Sequence, residues 1–503
     1  MSDKADDTAS YQREMARGAL TNAFGVIGKI AGPSLLIVVT RLYGADVFGL
    51  YIAATALIEM SIAFLTAGFR DAALLFVARH AEDESEQETL YQALSNALAW
   101  SLGFAGLLIV LGWTVAPSVL RALYEFGDRL APMVRWMVLA LPLLAFDRIV
   151  VAATQGLKIM KYDALVNGGL RPVALLGTSV AVWFVSPDEM GLAAAYVITQ
   201  VLVAAAAVFI YTRELAWRPL GAALRHLRFN RELLAFALPQ NLNTTFERFL
   251  TNIDVLMLGL FNVSATTVGL YGAGALIVRE IRQIKLVFSS AFAPHIVRFY
   301  RQGDLEELAR GFATTSQWIA MAAVPVLLGV AILRNDLLRL VSPEFAGAAS
   351  VFMLFLLPVP YLQCSFGTAG NVVVMTGFSR LNLLNSVTTG VANVLLNLLL
   401  IPSFGLVGAA AASGLAAFIR AVMEMGEMRW ILKRWPPVRR FYKPHLAGGL
   451  AALALAGLWQ LPFFGSGLLA RLALFAVIGL LYAGVLVSLL GRWPRFRSPL
   501  KSP

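Results

Sequence analysis

The stretch Gly49-Leu50-Tyr51-Ile52-Ala53-Ala54-Thr55-Ala56-Leu57-Ile58-Glu59-Met60-Ser61-Ile62-Ala63-Phe64-Leu65-Thr66-Ala67-Gly68 decides the fold. It holds a single charge, Glu59, and does not alternate apolar with polar residues. It therefore reads as a helix long enough to cross a hydrocarbon core of about 30 Å, and not as a barrel strand. Comparable runs recur along the whole chain. Of 503 residues, 58% are hydrophobic and only 14% charged, against about 25% charged in soluble domains. So little charge cannot coat the surface of a soluble protein of this size. The sequence predicts an all-α polytopic membrane protein.

Working outward from that stretch gives fourteen spans. They are Ala16–Thr40, Phe48–Gly68, Ala93–Ala116, Pro132–Ala153, Asp163–Val185, Met190–Thr212 and Leu233–Phe261, then Thr267–Ala293, Gly311–Leu333, Ala348–Val374, Leu381–Ile401, Gly405–Arg429, Leu446–Leu461 and Leu468–Leu490. Residues Met1 to Tyr11 are polar and lack the basic start and short apolar stretch of a signal peptide, so the first apolar segment is expected to stay as a helix.

Orientation follows from the basic residues. With the N-terminus in the cytoplasm, only Arg41, Arg121, Arg129, Arg334 and Arg339 of the 41 Lys and Arg fall on outer loops, and most of the others fall on inner loops. One misplaced span would invert every later loop and blur that contrast, so an even span count with both ends cytoplasmic is expected. The same sorting accounts for the net charge of +11 without nucleic acid. The basic runs Arg213–Arg231 and Arg429–Lys443 sit beside helix ends, where they meet anionic inner-leaflet lipids.

The opening pattern has a second copy. Gly49-Leu50-Tyr51-Ile52-Ala53 starts the second span, and Gly269-Leu270-Tyr271-Gly272-Ala273 starts the eighth. Six spans separate them, an even number, so the halves are parallel repeats about an axis along the membrane normal. The expected division is a tail (1–15), an N-lobe of helices one to six (16–212) and a basic linker (213–232). A C-lobe of helices seven to twelve (233–432), a basic loop (433–445), helices thirteen and fourteen (446–490) and a tail (491–503) follow.

Several chemistries are excluded. A single cysteine, Cys364, leaves no disulfide framework or paired-cysteine metal site, and four scattered histidines make a histidine metal site improbable. Gly28-Lys29 continues into Ile30, so there is no Walker-type phosphate loop. The loops are too short for a soluble catalytic domain, and no enzyme activity is expected.

Function is then sought in charges at membrane depth, which are costly and mark binding sites or ion paths. Lys29 and Arg248 lie near the middle of spans one and seven, about 15 Å from either surface at 1.5 Å rise per residue. The offset that carries Gly49 to Gly269 carries Glu59 to Arg279, and carries Gly28, the neighbour of Lys29, to Arg248. Both halves therefore place charge at equal depth. Arg279, Arg282 and Lys285 follow at spacings of three along span eight, which offers Glu280 as counter-charge. Two readings are open: an anion-binding cavity built on Lys29, Arg248, Arg279, Arg282 and Lys285, or internal ion pairs such as Lys29 with Glu59 and Arg279 with Glu247. Arg135, Arg148 and Arg471 read as snorkelling residues near span ends. Glu59, Glu247, Asp254 and Glu280 are candidates for ion coupling, with H+ or Na+ as the coupling ion. After Pro239, span seven carries Gln240, Asn241, Asn243 and Asn252, which suit a helix lining an aqueous cavity.

These residues resemble a known group. Thr40-Arg41-Leu42-Tyr43-Gly44 followed by Phe48-Gly49-Leu50-Tyr51 is similar to the first outer turn of bacterial polysaccharide transporters of the multidrug/oligosaccharidyl-lipid/polysaccharide exporter superfamily. Gly405-Leu406-Val407-Gly408-Ala409-Ala410 resembles the start of that group's twelfth helix. The resemblance implies two six-helix lobes in a V, helices one, two, seven and eight around a cavity, and an extra C-terminal helix pair. It also implies flipping of undecaprenyl-diphosphate-linked oligosaccharide across the bacterial cytoplasmic membrane by alternating access, for surface polysaccharides such as O-antigen, lipopolysaccharide or exopolysaccharide. Polysaccharide polymerase machinery is a further implied partner. A cation antiporter of the same superfamily is the alternative. Lipid II flippases have an arginine-rich first helix where this chain has only Lys29 deep in the span, and a glycan polymerase or ligase would need a large outer loop.

Overall fold

The computed structural model describes residues 31–80, 86–226, 230–261, 263–460 and 467–490. Among them the regular structure is helical, without strands. Among the described residues eight helices are long and apolar enough to cross a membrane, or nine if a pair bent by 46° (Ala349–Ser365 with Thr368–Met375) counts as one span. The chain is a multi-pass membrane protein. By contact the residues form two compact units, divided between Gly269 and Leu270.

In the first unit, α1 (Ala31–Tyr43) ends at Gly44, whose φ of 88° lets the chain turn straight into α2 (Ala45–His80). A side chain there would be strained. The turn is the Tyr43-Gly44 step of the recognised motif. Beyond it lie α3 (Gln87–Thr114), α4 (Ala116–Leu123), α5 (Gly127–Met137) and α6 (Leu141–Gly156), which with a short 3₁₀ turn complete the predicted fourth span. The fifth span is α7 (Lys161–Leu165), a π-helical turn (Val166–Leu170) and α8 (Arg171–Trp183). Then come α9 (Glu189–Glu214), α10 (Trp217–Arg225) and α11 (Arg231–Leu260). The helix α10 falls inside the stretch read as a linker. Its Leu220 and Ala223 are buried while Trp217 and Leu224 are exposed, a short amphipathic helix among basic residues.

Helix α2 is the axis of this unit. Phe69, Phe76, Leu94, Ile149, Tyr211 and Leu233 form one buried cluster from five helices. Helix α11 runs antiparallel to α2, because the partners rise in number along one helix as they fall along the other. Glu59 faces Arg248, Gly68 faces Ala237 and Asn241, Asp71 faces Gln240, and Arg79 faces Glu232.

The second unit continues through α12 (Ala265–Glu280), which straddles the division, and α13 (Arg282–Arg301). The predicted eighth span is thus broken at Ile281, between two of its arginines. Then follow α14 (Leu305–Val341), α15 (Phe352–Leu356), α16 (Pro358–Ser365), α17 (Thr368–Met375), α18 (Ser379–Leu432), α19 (Val438–Leu458) and α20 (Leu468–Leu490). Spans eleven and twelve form the continuous element α18, interrupted where Gly405 takes φ 53° and ψ −126°, three residues after Pro402. At 54 residues a straight α18 would reach about 80 Å, far beyond one membrane crossing. The kink divides it. Helices α19 and α20 pack on α14 through Val324, Ile332, Ala447, Leu474, Ile478 and Tyr482.

Candidate functional site

Helix α11 has the length to cross a membrane but is not among the helices apolar enough to do so alone. Its sequence explains why: Gln240, Asn241, Thr244, Thr245, Glu247, Arg248, Thr251, Asn252 and Asp254 crowd four turns. Asn230 caps its start, the side-chain oxygen accepting from Leu233 N–H at 2.9 Å. A seam with α2 then uses several of the polar groups. Asn241 is buried and accepts from Gly68 N–H at 2.5 Å, and Gln240 donates to Asp71 Oδ2 at 3.1 Å. A Cβ on Gly68 would fall 1.9 Å from the Ala237 carbonyl oxygen, so only glycine admits this approach. Asn252, partly buried, returns its amide to Arg248 O at 3.0 Å. Lys29 lies outside the described residues, and of Asn243 only the backbone, within α11, is described.

Two turns beyond the seam, Glu59 and Arg248 meet. Glu59 Oε2 is 3.9 Å from Arg248 Nη1, and Glu59 Oε1 is 3.6 Å from Arg148 Nη2 on α6. Each carboxylate oxygen faces its own guanidinium. The side chains stay open: Glu59 is 38% exposed, Arg248 48% and Arg148 23%. Two cations and one anion leave a net positive charge at mid-helix. Arg148, read from position alone as a snorkelling residue, turns to Glu59. Its neighbour Asp147 points the other way and is fully buried, accepting from Arg171 Nη2 at 2.7 Å, while Arg171 Nη1 donates to Gln200 Oε1 at 2.5 Å. Arg171 follows the π-helical turn directly, and Asn167 within that turn accepts from its Nε at 3.4 Å.

Glu247 is exposed on α11, and Asp254 is buried further along it. In the second unit, Arg279 and Glu280 close α12, Arg282 opens α13, and all three are exposed. Lys285 differs from them. Its ammonium lies against Gly367, where a Cβ would come within 2.6 Å of Nζ, and Glu424 and Arg420 of α18 act on its charge. The three cations spaced by three along span eight therefore do not share one environment. Glu424 is buried, accepts from Arg420 Nε at 2.8 Å, and sits where a Cβ on Gly370 would touch Oε1 at 2.6 Å.

A buried polar ladder on α18 was not anticipated. Asn385, Ser386, Asn393 and Asn397 are buried, with Asn385 donating to Glu427 Oε2 at 2.8 Å and Asn397 to Asn393 Oδ1 at 2.6 Å. Ser386, Asn393 and Asn397, seven and four residues apart, were readable as one helix face. Among the described residues no group of His, Cys, Asp and Glu could hold a metal ion. Cys364 is buried as a free thiol.

Residues 17–300, more than half of the chain, match the model of a family described as polysaccharide biosynthesis protein. A probable flippase, AglR, of Haloferax volcanii is 25% identical over 210 residues, 40% of this chain and 43% of its own length. The chain thus matches less than half of that relative. Among solved structures, the lipid II flippase MurJ in an inward closed conformation aligns with a TM-score of 0.72 at 13% identity, over 94% of this chain and 100% of MurJ. An inward-facing multidrug resistance transporter of the MATE family of the MOP superfamily aligns with a TM-score of 0.67 at 15% identity, over 82% and 99%. At these identities the likeness shows the fold alone.

Proposed function

The chain belongs to the polysaccharide biosynthesis protein family, and from that premise we propose that it is a flippase for a polyprenyl-diphosphate-linked oligosaccharide. It carries undecaprenyl-diphosphate-linked glycan from the cytoplasmic to the outer leaflet of a bacterial cytoplasmic membrane, with both termini cytoplasmic. Alternating access moves the substrate, and surface polysaccharide synthesis uses it.

One observation supports this reading above the others. Arg148 and Arg248 converge on a single carboxylate, mid-helix and accessible. A net cationic site on a membrane helix pair suits a diphosphate, whose oxygens take charge-assisted bonds from guanidinium. The polar face of α11 offers partners for sugar hydroxyls, while the prenyl tail stays in lipid. H+ or Na+ coupling is assigned to the acidic residues. The flippase name of the Haloferax volcanii relative points the same way. An organic-cation antiporter would need an acid-dominated site, which the arginine pair disfavours.

Native mass spectrometry of the purified chain tests the proposal. A bound polyprenyl-diphosphate glycan, lost in Arg248→Glu, is expected. Saturable binding of small organic cations without bound glycolipid would overturn it.

A further inference from the structure

We infer that Glu59 is a tethered counter-anion that occupies the seat of a substrate phosphate, with Arg148 as the second arginine of that seat. The inference rests on the flippase reading and deepens it.

The molecule carries its own standard for a structural ion pair. Asp147 with Arg171, Arg420 with Glu424, and Asp336 with Arg471 close at 2.7, 2.8 and 2.7 Å. Each has a carboxylate less than a fifth exposed, at 0%, 6% and 18%. These are direct hydrogen-bonded pairs. The Glu59 contacts depart from that standard in both respects, at 3.6 and 3.9 Å with the carboxylate 38% exposed. At those separations neither guanidinium makes a hydrogen bond to Glu59. Both keep donors available for another anion.

The chemistry of exchange is simple. A carboxylate presents two oxygens along one edge, and a phosphate presents the same kind of edge with more charge. Arg148 and Arg248 approach the Glu59 edge from α6 and α11, one at each oxygen. A phosphate entering between them takes over both guanidiniums, by paired N–H···O contacts that Glu59 does not make. The carboxylate is then displaced, and its negative charge opposes the newcomer. Glu59 therefore holds the arginines ready while weakening substrate binding, which favours release as well as capture. A residue that merely anchored the arginines would have the opposite effect when removed.

The sign of one variant decides the matter. Farnesyl diphosphate serves as the probe, titrated into the detergent-purified full chain at neutral pH. Inorganic pyrophosphate and farnesol separate the contributions of headgroup and tail. Glu59→Gln is expected to tighten farnesyl diphosphate by about fivefold or more, the lower figure being the effect of removing a like unit charge about 4 Å away at the polarity of water. Arg148→Gln is expected to weaken it, and farnesol binding should respond to neither. Glu59→Ala carries the same expectation if the amide variant does not fold. Unchanged or weaker binding in folded Glu59→Gln and Glu59→Ala, with the wild type still binding, overturns the counter-anion role alone. No diphosphate binding by folded wild type overturns the flippase reading and this inference together.

Discussion

Gly49 and Gly269, the leading glycines of the two repeat copies, pack against each other. A Cβ on Gly269 would fall 3.0 Å from Gly49 Cα, and one on Gly49 would fall 1.7 Å from the Ala265 carbonyl oxygen. The pattern read from the sequence as a repeat is also a contact point, and it demands a residue without a side chain. Gly49→Ala should therefore lower the melting temperature of the purified chain clearly, since overpacking costs about 1–3 kcal/mol even where side chains can yield. Here the obstacle is backbone. Gly103→Ala, with nothing within 4 Å of its Cβ, should be neutral or stabilising. Equal melting temperatures for the two variants would refute the close approach.

The α2–α11 seam makes a second prediction. Asn241→Leu removes the cross-helix acceptor of Gly68 N–H, and with it a seam hydrogen bond worth about 0.5–1.5 kcal/mol. Hydrogen exchange at Gly68 should accelerate in this variant. Unaltered protection would mean that the bond does not hold the helices together.

Asp147 and Arg171 make a third. Arg171→Leu strands a buried carboxylate, which costs about 3–5 kcal/mol, whereas removing both charges is far milder. The double variant Asp147→Leu/Arg171→Leu should unfold at a higher temperature than Arg171→Leu alone. A double variant less stable than the single would show that the pair is not mutually dependent.

Asp188 supplies a pH prediction outside the spans. It caps α9, accepting from the Ser186 hydroxyl at 2.5 Å and from Gly191 N–H at 2.8 Å. The Ser186 bond first, and the Gly191 bond after it, hold its carboxyl below the usual aspartate range. A folded value lower than the unfolded one contributes stability above about pH 4, and that stability is lost as pH falls through the folded value. The melting temperature of the wild type should drop on that acid side, and Asp188→Asn should flatten the drop. Superimposed acid profiles would remove the cap from the account.

Much of the architecture was legible because apolar length and charge exclusion act locally. The last span, Leu468–Leu490, has the same ends in the structure, and Leu233–Phe261 became α11 with ends shifted by one or two residues. The polar character of span seven was equally plain. What the chain did not disclose was direction. Asp147 and Arg148 are consecutive, yet one enters the interior and the other turns to Glu59; depth along a helix says nothing of azimuth relative to a distant partner. The break at Ile281 leaves Arg279 on α12 and puts Arg282 and Lys285 on α13, a division that uniform helical spacing along the predicted span does not show. The Arg171 network could have been suspected from Asn167 one turn earlier, but its partners Asp147 and Gln200 come from other helices. Such pairings depend on packing, which one sequence does not display.

The central claim is that the accessible arginine pair on α6 and α11 serves an anionic glycolipid in transit. Reconstitution into liposomes tests it most directly, with undecaprenyl-diphosphate-linked oligosaccharide placed in one leaflet and a membrane-impermeant glycan-specific hydrolase as the probe of the other. The wild type should expose the glycan to the enzyme, and Arg248→Glu should hold exposure at the level of protein-free vesicles. Equal exposure with wild type and Arg248→Glu would contradict the site, and no exposure with folded wild type would contradict the flippase reading.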